Sequence, residues 1–234
     1  MTPQADDANS TIPIIGGTGA LGFGLSLAFA RAGMSIAIGS RDAERAVEAA
    51  ERAAEAVPGS SLEGLSNGEA AGKGDIVFLA VPFRAQSETL TNLHGSLRAG
   101  QILVDCTVPL AAAVSGKATR LLGVWQGSAA EQAQEMVPDG VTVVSALHTV
   151  SAKSLADGAR FEEDTLICGD RKADKAKVAN LIEMIPGLRA VNAGSLETSR
   201  ITESLTPLLI SINTRYKTHS GIRITGLPEG DHWN

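Results

Sequence analysis

The sequence predicts an α/β protein: a doubly wound parallel sheet with a smaller C-terminal α/β domain. Two observations carry this. Short β-branched or apolar runs alternate with alanine-rich segments of helical period, the rhythm that places helices on the faces of a parallel sheet. A glycine cluster, GGTGALG at 16–22, falls between the first such run and the first helical segment, where a strand has to turn sharply into a helix.

TIPII at 11–15 reads as the first strand. In ALGFGLSLAFARA at 20–32, Leu21, Leu25, Ala28 and Phe29 share a helical face, and Gly33 ends the helix. SIAIG at 35–39 is a second strand. The alanine-, glutamate- and arginine-rich stretch from Asp42 to Val57 is a helix closed by Pro58-Gly59. DIVFLAV at 75–81, ILVDC at 102–106 and VTVVSA at 141–146 complete a five-strand series. The segment from Thr107 to Asp139 breaks the rhythm with small residues, Gly116, Gly123 and a lone Trp125 before a helical stretch at 128–136. It reads as a loop or a lid. Beyond His148 come a strand (TLICG), a helix (Ala173 to Ile185), a strand (LRAVNA) and a long helix from about Leu196 to Lys217. The expected division is a polar, flexible tail at 1–10, a dinucleotide-binding domain at 11–148 and a smaller second layer at 149–234.

A formal charge of −6 and a pI near 5.3 argue against nucleic acid as a partner, since no basic stripe is present to replace phosphate counterions. The longest apolar runs fall far short of the ~20 residues of a membrane helix, so a cytoplasmic location is expected. Cys106 and Cys168 are the only cysteines and lack metal-ligand spacing; both read as packing residues.

Within the glycine cluster, Gly17, Gly19 and Gly22 form G-x-G-x-x-G. With a strand before it and a helix after it, this is the Rossmann-type pyrophosphate loop: backbone approaches the phosphates and the helix N-terminus meets their charge. Dinucleotide choice rests on the end of the second strand, where an acid would grip the ribose hydroxyls and repel a 2′-phosphate. The sequence has Gly39-Ser40-Arg41 instead, with Arg45 one helical turn on and Ser40 falling 21 positions after Gly19. A hydroxyl and two guanidinium groups suit a dianionic phosphate, which selects NADP. The structural alternative is that Ser40 caps the next helix and the arginines are solvated beside Asp42 and Glu44.

The carboxyl ends of the strands direct Ala80-Val81-Pro82-Phe83, Thr107-Val108-Pro109 and Ser145-Ala146-Leu147-His148 towards a nicotinamide. Val81 and Val108 are equally at home as core residues. His148 is the one histidine at a predicted strand end; it is either a group that orients or protonates a second ligand or a capped structural histidine. In the run Ser199 to Pro207, the polar groups of Arg200, Ser204 and Thr206 sit beside buried leucines. Pro207 frees backbone carbonyls there, which marks a pocket or a bend round the core. No serine elbow, metal cluster or acid pair supports a hydrolase or a metalloenzyme.

The assembled motifs resemble the NADPH-dependent F420 reductases (F420:NADP oxidoreductases). The resemblance runs through GGTGALG, GSR at 39–41, DIVFLAVPF at 75–83, VVSALHTVSA at 143–152, ICGD at 167–170 and GLRAVNAGSLETSRITESLTPLLISIN at 187–213. It implies that Thr18, Gly19, Ala20, Leu21, Ser40, Arg41, Arg45, Val81, Val108 and Ala152 contact NADP, and that His148, Arg200, Ser204 and Thr206 surround the deazaflavin coenzyme F420. It implies direct hydride transfer between nicotinamide C4 and deazaflavin C5. The chain departs from the archaeal pattern in its longer C-terminal end, RYKTHSGIRITGLPEGDHWN, and in part of 107–139. Two rival readings are an NADPH reductase of flavin, ferric chelate or a small carbonyl compound, and a non-catalytic NADP sensor. The sensor needs no second pocket, whereas the reductase needs Arg200, Ser204 and Thr206 turned inward. The apolar final helix (Leu205, Leu208, Leu209, Ile210, Ile212) suits a homodimer interface.

Overall fold

The computed structural model describes residues 11–228 and Trp233; the expected tail at 1–10 lies outside the described residues. The chain runs β1 (Thr11–Ile15), α1 (Ala20–Arg31), β2 (Ser35–Ser40), α2 (Ala43–Ala56), β3 (Leu62–Ser66), α3 (Asn67–Ala71), β4 (Ile76–Leu79), α4 (Phe83–Leu93), β5 (Ile102–Asp105), α5 (Ala129–Met136) and β6 (Thr142–Ser145). It continues through α6 (Ala152–Asp157), β7 (Asp164–Cys168), α7 (Lys172–Ile182), β8 (Arg189–Gly194), α8 (Ser199–Thr202) and α9 (Leu205–Tyr216). The strands form one sheet in the order β3-β2-β1-β4-β5-β6-β7-β8.

Successive strand residues face opposite sides of a sheet, and the core divides accordingly. Ile14, Ile36, Ile38, Phe78, Ile102, Val104 and Val144 belong to one cluster, with α1, α2 and α7 covering them. Their neighbours Ile15, Ala37, Val77, Leu79, Leu103 and Val143 belong to the other, under α3, α4 and α5. A strand buried on both faces must be apolar throughout, which is why these runs are readable in the sequence. Fully burying a side chain such as Leu103 contributes roughly 1.5–3 kcal/mol. Phe29 of α1 meets Phe78 of β4 at 5.2 Å between ring centres, joining helix to sheet directly below the glycine loop.

Three features differ from the sequence expectation. The first part of the sheet has six parallel strands, because β3 at Leu62–Ser66 joins the edge beside β2. Its residues are only partly buried and include a glycine, so neither alternation nor a continuous apolar run marks it. The glycine is there because α2 crosses it: a Cβ on Gly64 would lie 2.3 Å from the Ala46 backbone.

Secondly, β7 and β8 do not make a separate layer. β7 pairs antiparallel with β6 through Ser145 and Cys168, and β8 pairs parallel with β7, so both extend the first sheet. Thirdly, the expected single helix at 196–217 is a short 3-10 turn followed by α8 and α9. Pro207, third residue of α9, has no N–H to donate to Glu203. The turn before it tightens instead, with Ser204 N–H donating to Ile201 O and Thr206 N–H to Glu203 O.

Helices α3, α4 and α6 were not legible. α4 buries Gln86 and Thr89 beside Leu90 and Leu93, so polar side chains interrupt its apolar stripe. β1 and β4 are neighbours although β1 is also paired to β2, and this reversal of strand order opens the crevice where α/β sheets bind ligands.

Candidate active site

Gly19 begins α1 with no side-chain cap, so the N–H groups of its first turn, at Ala20 and Leu21, stay open to an anion. Thr18 and Leu21 flank them and are half-buried. The glycines beneath let backbone meet backbone. Gly16 has φ 76° and lies against Val81: an added Cβ would come within 2.6 Å of Val81 Cγ1. At Gly22 it would come within 2.5 Å of Gly16 O and 2.8 Å of Gly17 Cα. Gly17 N–H donates to Gly39 O at 2.9 Å, fixing the loop to the end of β2.

Ser40 ends β2 and is buried. It does not cap α2. Asp42 does, receiving the N–H groups of Glu44 and Arg45, while Ser40 Oγ accepts from Asp42 N–H at 3.2 Å. The Asp42 carboxylate is thereby directed to the helix terminus and leaves the arginines to solvent. Arg41 has a side chain 70% exposed and only a 3.8 Å contact with Glu88, a pair worth little in water. Arg45 makes no ion pair among the described residues and lines, with Thr18, Glu48, Glu51, Arg52 and Glu55, a cavity of about 470 Å³. Thr18 of the loop and Arg45 thus share one cavity, and Gly39, held by the loop, leads directly into Ser40 and Arg41. Val108 is half-buried just past β5, and Ala152 opens α6, whose carbonyl presses on Gly24 of α1.

At the far side of the crevice β6 delivers His148. The turn is made by Leu147, fully buried with φ 69°, a left-handed conformation that costs about 1–2 kcal/mol in a non-glycine residue. Its N–H donates to Thr165 Oγ1 at 2.9 Å, which holds the turn. His148 is buried and its Nε2 has no hydrogen-bond partner among the described residues. Burial lowers its pKa to about 4, opposed by the Asp105 carbonyl, so the ring is neutral at neutral pH. Of the readings the sequence left open, a ring that protonates a ligand near neutral pH is the one this disfavours: His148 is an uncharged polar edge.

Thr206 is brought to this point, donating from Oγ1 to His148 O at 2.8 Å. Ser204 stands at the start of α9, its Oγ donating to Ile201 O. Arg200 points elsewhere, to Glu131 of α5 at 3.1 Å and Glu197 at 3.6 Å. Of the three side chains expected to turn inward, the structure sets Thr206 against His148 and engages Arg200 with α5.

Sequence reasoning missed a set of buried polar groups beneath this pocket. Gln86 Nε2 lies 2.7 Å from Asp105 Oδ2, 2.8 Å from Thr107 Oγ1 and 3.0 Å from Ala129 O. Burial raises Asp105 to about 6, against the hydrogen bonds from Thr107 and Gln86. Glu203 is 2% exposed and accepts the N–H groups of Ala129 and Ala130 at the start of α5. Burial, with repulsion from Asp105 and Glu131, raises it to about 8 despite those two donors. A lone acid in the otherwise apolar ILVDC strand was the available signal for Asp105.

A mostly parallel sheet with a glycine loop and exposed arginines at its switch point, and a buried, unpartnered His148 Nε2 beyond the end of β6, defines an NADP-binding oxidoreductase of Rossmann type. Residues 11–109 match the family model described as NADP oxidoreductase coenzyme F420-dependent. The chain is 42% identical over 223 residues to the F420-dependent NADP reductase of Methanothermobacter thermautotrophicus, covering 93% of this chain and 96% of that protein. With that of Methanocaldococcus jannaschii it shares 43% identity over 222 residues, covering 92% and 98%. A solved structure from Arthrobacter sp. FB24, assigned as an F420-dependent NADP reductase, superposes with TM-score 0.78 at 27% identity, covering 92% of this chain and 99% of that one. An imine reductase from Streptomyces aurantiacus, 19% identical with TM-score 0.60, shares the fold. The chain belongs to the F420-dependent NADP reductase family.

Proposed function

We propose that this chain is an F420-dependent NADP reductase that passes hydride directly and reversibly between C4 of NADPH and C5 of the deazaflavin coenzyme F420. The observation that carries the reading is the pairing, across one crevice, of an uncapped glycine-loop helix with a buried His148 Nε2 that lacks a partner. Both coenzymes fit what is there. The open N–H groups of α1 suit a pyrophosphate, and Ser40, Arg41 and Arg45 suit a 2′-phosphate. Val81, Val108 and Ala152 complete the dinucleotide side. A buried polar atom without a partner costs about 1–3 kcal/mol, which a ligand donor or acceptor at His148 Nε2 would recover. Thr206, and Ser204 two residues before it, supply the remaining polar groups on that side; Arg200 joins them only by leaving Glu131 and Glu197.

The bound coenzymes supply the redox chemistry: a two-electron hydride passes from one ring to the other, and one proton is taken up when F420 is reduced. The protein's part is to hold the two rings face to face and exclude water. A neutral His148 orients a polar ring edge by hydrogen bonding without placing a full charge beside it. On this reading residues 11–148 carry the NADP side apart from Ala152, and 149–234 share the F420 pocket with His148.

Purified protein with NADPH and F420 is expected to turn over rapidly, and to show little rate with NADH or with FMN replacing F420. Turnover with FMN but not F420 would overturn the deazaflavin assignment. Homodimerisation through α8 and α9 goes with exposed Ile201 and Leu208, 60% and 53% accessible. Light scattering at twice 24.1 kDa supports it and at 24.1 kDa rejects it. Among the described residues no helix is long and apolar enough to cross a membrane. A cytoplasmic location, checked by fractionation, goes with two buried free cysteines.

A further inference from the structure

Glu203 sits in an unfavourable place for an acid. It is 2% exposed, no cation pairs with it among the described residues, and the charged groups that act on it there, Asp105 and Glu131, are both negative. What it does have is geometry. Its two oxygens face the first two open N–H groups of α5, Ala129 at 3.0 Å and Ala130 at 3.2 Å, donors that the cap residue Ser128, bonded to Glu131 N–H, does not reach.

The same first residue of α5 is held from its other end. Ala129 O lies on Gln86 Nε2, which also contacts Asp105 Oδ2 and Thr107 Oγ1 at the end of β5. Asp105 offers its main-chain carbonyl to Ala146 N–H at 3.2 Å, two residues before His148, and His148 O accepts from Thr206. Thr206 stands three residues beyond Glu203. The contacts therefore close a ring: Glu203, Ala129, Gln86, Asp105, Ala146 and along the chain to His148, then Thr206 and back along the chain to Glu203. Ser204 and Thr206 follow Glu203 in the chain, and Thr107-Val108 follow Asp105.

We infer that Glu203 is a positioning residue for the deazaflavin side of the site, fixing the start of α5 and the Thr107-Val108 wall at a set separation from Ser204, Thr206 and His148. This rests on the proposed function. No other group in the ring joins α5 to the α8–α9 junction from the interior; Arg200 does so only at the surface, through Glu131. Freeing α5 from Glu203 therefore loosens one wall of the second pocket while leaving the glycine loop, on β1 and α1, untouched.

The test, run at about pH 9 so that Glu203 is ionised and both its oxygens accept, compares wild type with Glu203→Gln, which keeps side-chain volume but turns one acceptor into a donor facing the same N–H groups, and with the shortened Glu203→Asp. Three quantities are read: the Kd of oxidised F420 for NADP-saturated protein by fluorescence, the Kd of NADPH for the free protein, and the hydrogen exchange of the Ala129 and Ala130 amides. In Glu203→Gln the expected result is F420 binding weakened about tenfold or more, faster exchange at those two amides, and NADPH binding within about twofold of wild type. Glu203→Asp, still an acceptor, is expected to recover part of the F420 affinity. Unchanged F420 binding beside faster amide exchange overturns the inference and leaves Glu203 as a local cap of α5. Equal loss of F420 and NADPH binding also overturns it, since the role is then general stability. Wild-type protein that binds NADPH but not F420 sinks the proposed function itself, and this inference with it, before any variant is considered.

Discussion

Replacing Arg41 and Arg45 together by alanine weakens NADPH binding by about a hundredfold or more and leaves NADH binding within about twofold. Both guanidinium groups are exposed, and neither is engaged in a strong ion pair: Arg41 contacts Glu88 only at 3.8 Å, and Arg45 has no ion-pair partner among the described residues. No existing interaction must therefore break before they meet a phosphate. A charge-assisted hydrogen bond contributes about 1.5–3 kcal/mol. Two of them at the lower end reach ~3 kcal/mol, slightly over a hundredfold. NADH lacks the 2′-phosphate and loses nothing. Fluorescence titration of both dinucleotides checks this, and a parallel loss of NADH binding would show that the arginines support the fold of α2 rather than the choice of cofactor.

The second large effect is expected at Gly22. A methyl group there would lie 2.5 Å from Gly16 O and 2.8 Å from Gly17 Cα. Both are backbone atoms, so no rotamer change relieves the clash. α1 has to move away from the loop, or the loop from β4. Overpacking of this kind costs about 1–3 kcal/mol of stability, and the displaced N–H groups no longer converge on the pyrophosphate. Gly22→Ala is expected to weaken NADPH and NADH alike by about tenfold to a hundredfold. Gly95 is the control: nothing lies within 4 Å of an added Cβ there and its φ is not positive, so Gly95→Ala should bind both as wild type does. Denaturation midpoints separate the stability loss from the binding loss. If Gly22→Ala binds dinucleotide normally, the close approach of α1 to the loop is not what shapes the site.

The two effects differ in what they discriminate. The arginine pair separates NADPH from NADH, because it acts on the one group that distinguishes them. Gly22 acts on the pyrophosphate that both share. Together they divide the dinucleotide side into a shared cradle and a selector.

Much of this side was legible in the sequence, and the reasons are local. A glycine is required where a left-handed φ or a backbone contact occurs, and Gly16, Gly17 and Gly22 lie within one turn-and-helix segment. Ser40, Arg41 and Arg45 follow from the end of a strand whose apolar run is unmistakable. The alternative in which Ser40 caps α2 does not hold, since Asp42 is the cap. β3 stayed hidden because its Gly64 answers to α2 packing rather than to strand propensity. The joining of β7 and β8 to the main sheet was equally hidden, since periodicity marks a strand and not its neighbour.

The second pocket was visible only as a set of residue types. Thr206 meets His148 across 58 positions, and Glu203 meets Ala129 across 74. No local pattern encodes such pairings. The sequence left His148 open between a group that orients or protonates a ligand and a structural histidine, and only burial, which lowers it to about 4, bears on the choice; Glu203 went unremarked although burial carries it to about 8.

By itself the sequence determined the α/β class and the glycine loop that opens α1, and it named Ser40, Arg41 and Arg45 as the expected NADP corner, because backbone conformation and side-chain chemistry at those points depend on residues adjacent in the chain. Only the tertiary structure decided how the strands order into one sheet, which way Arg200 turns, and that a closed ring of buried polar groups stands behind the second pocket. Burial, desolvation and contact between distant segments exist only once the chain has packed.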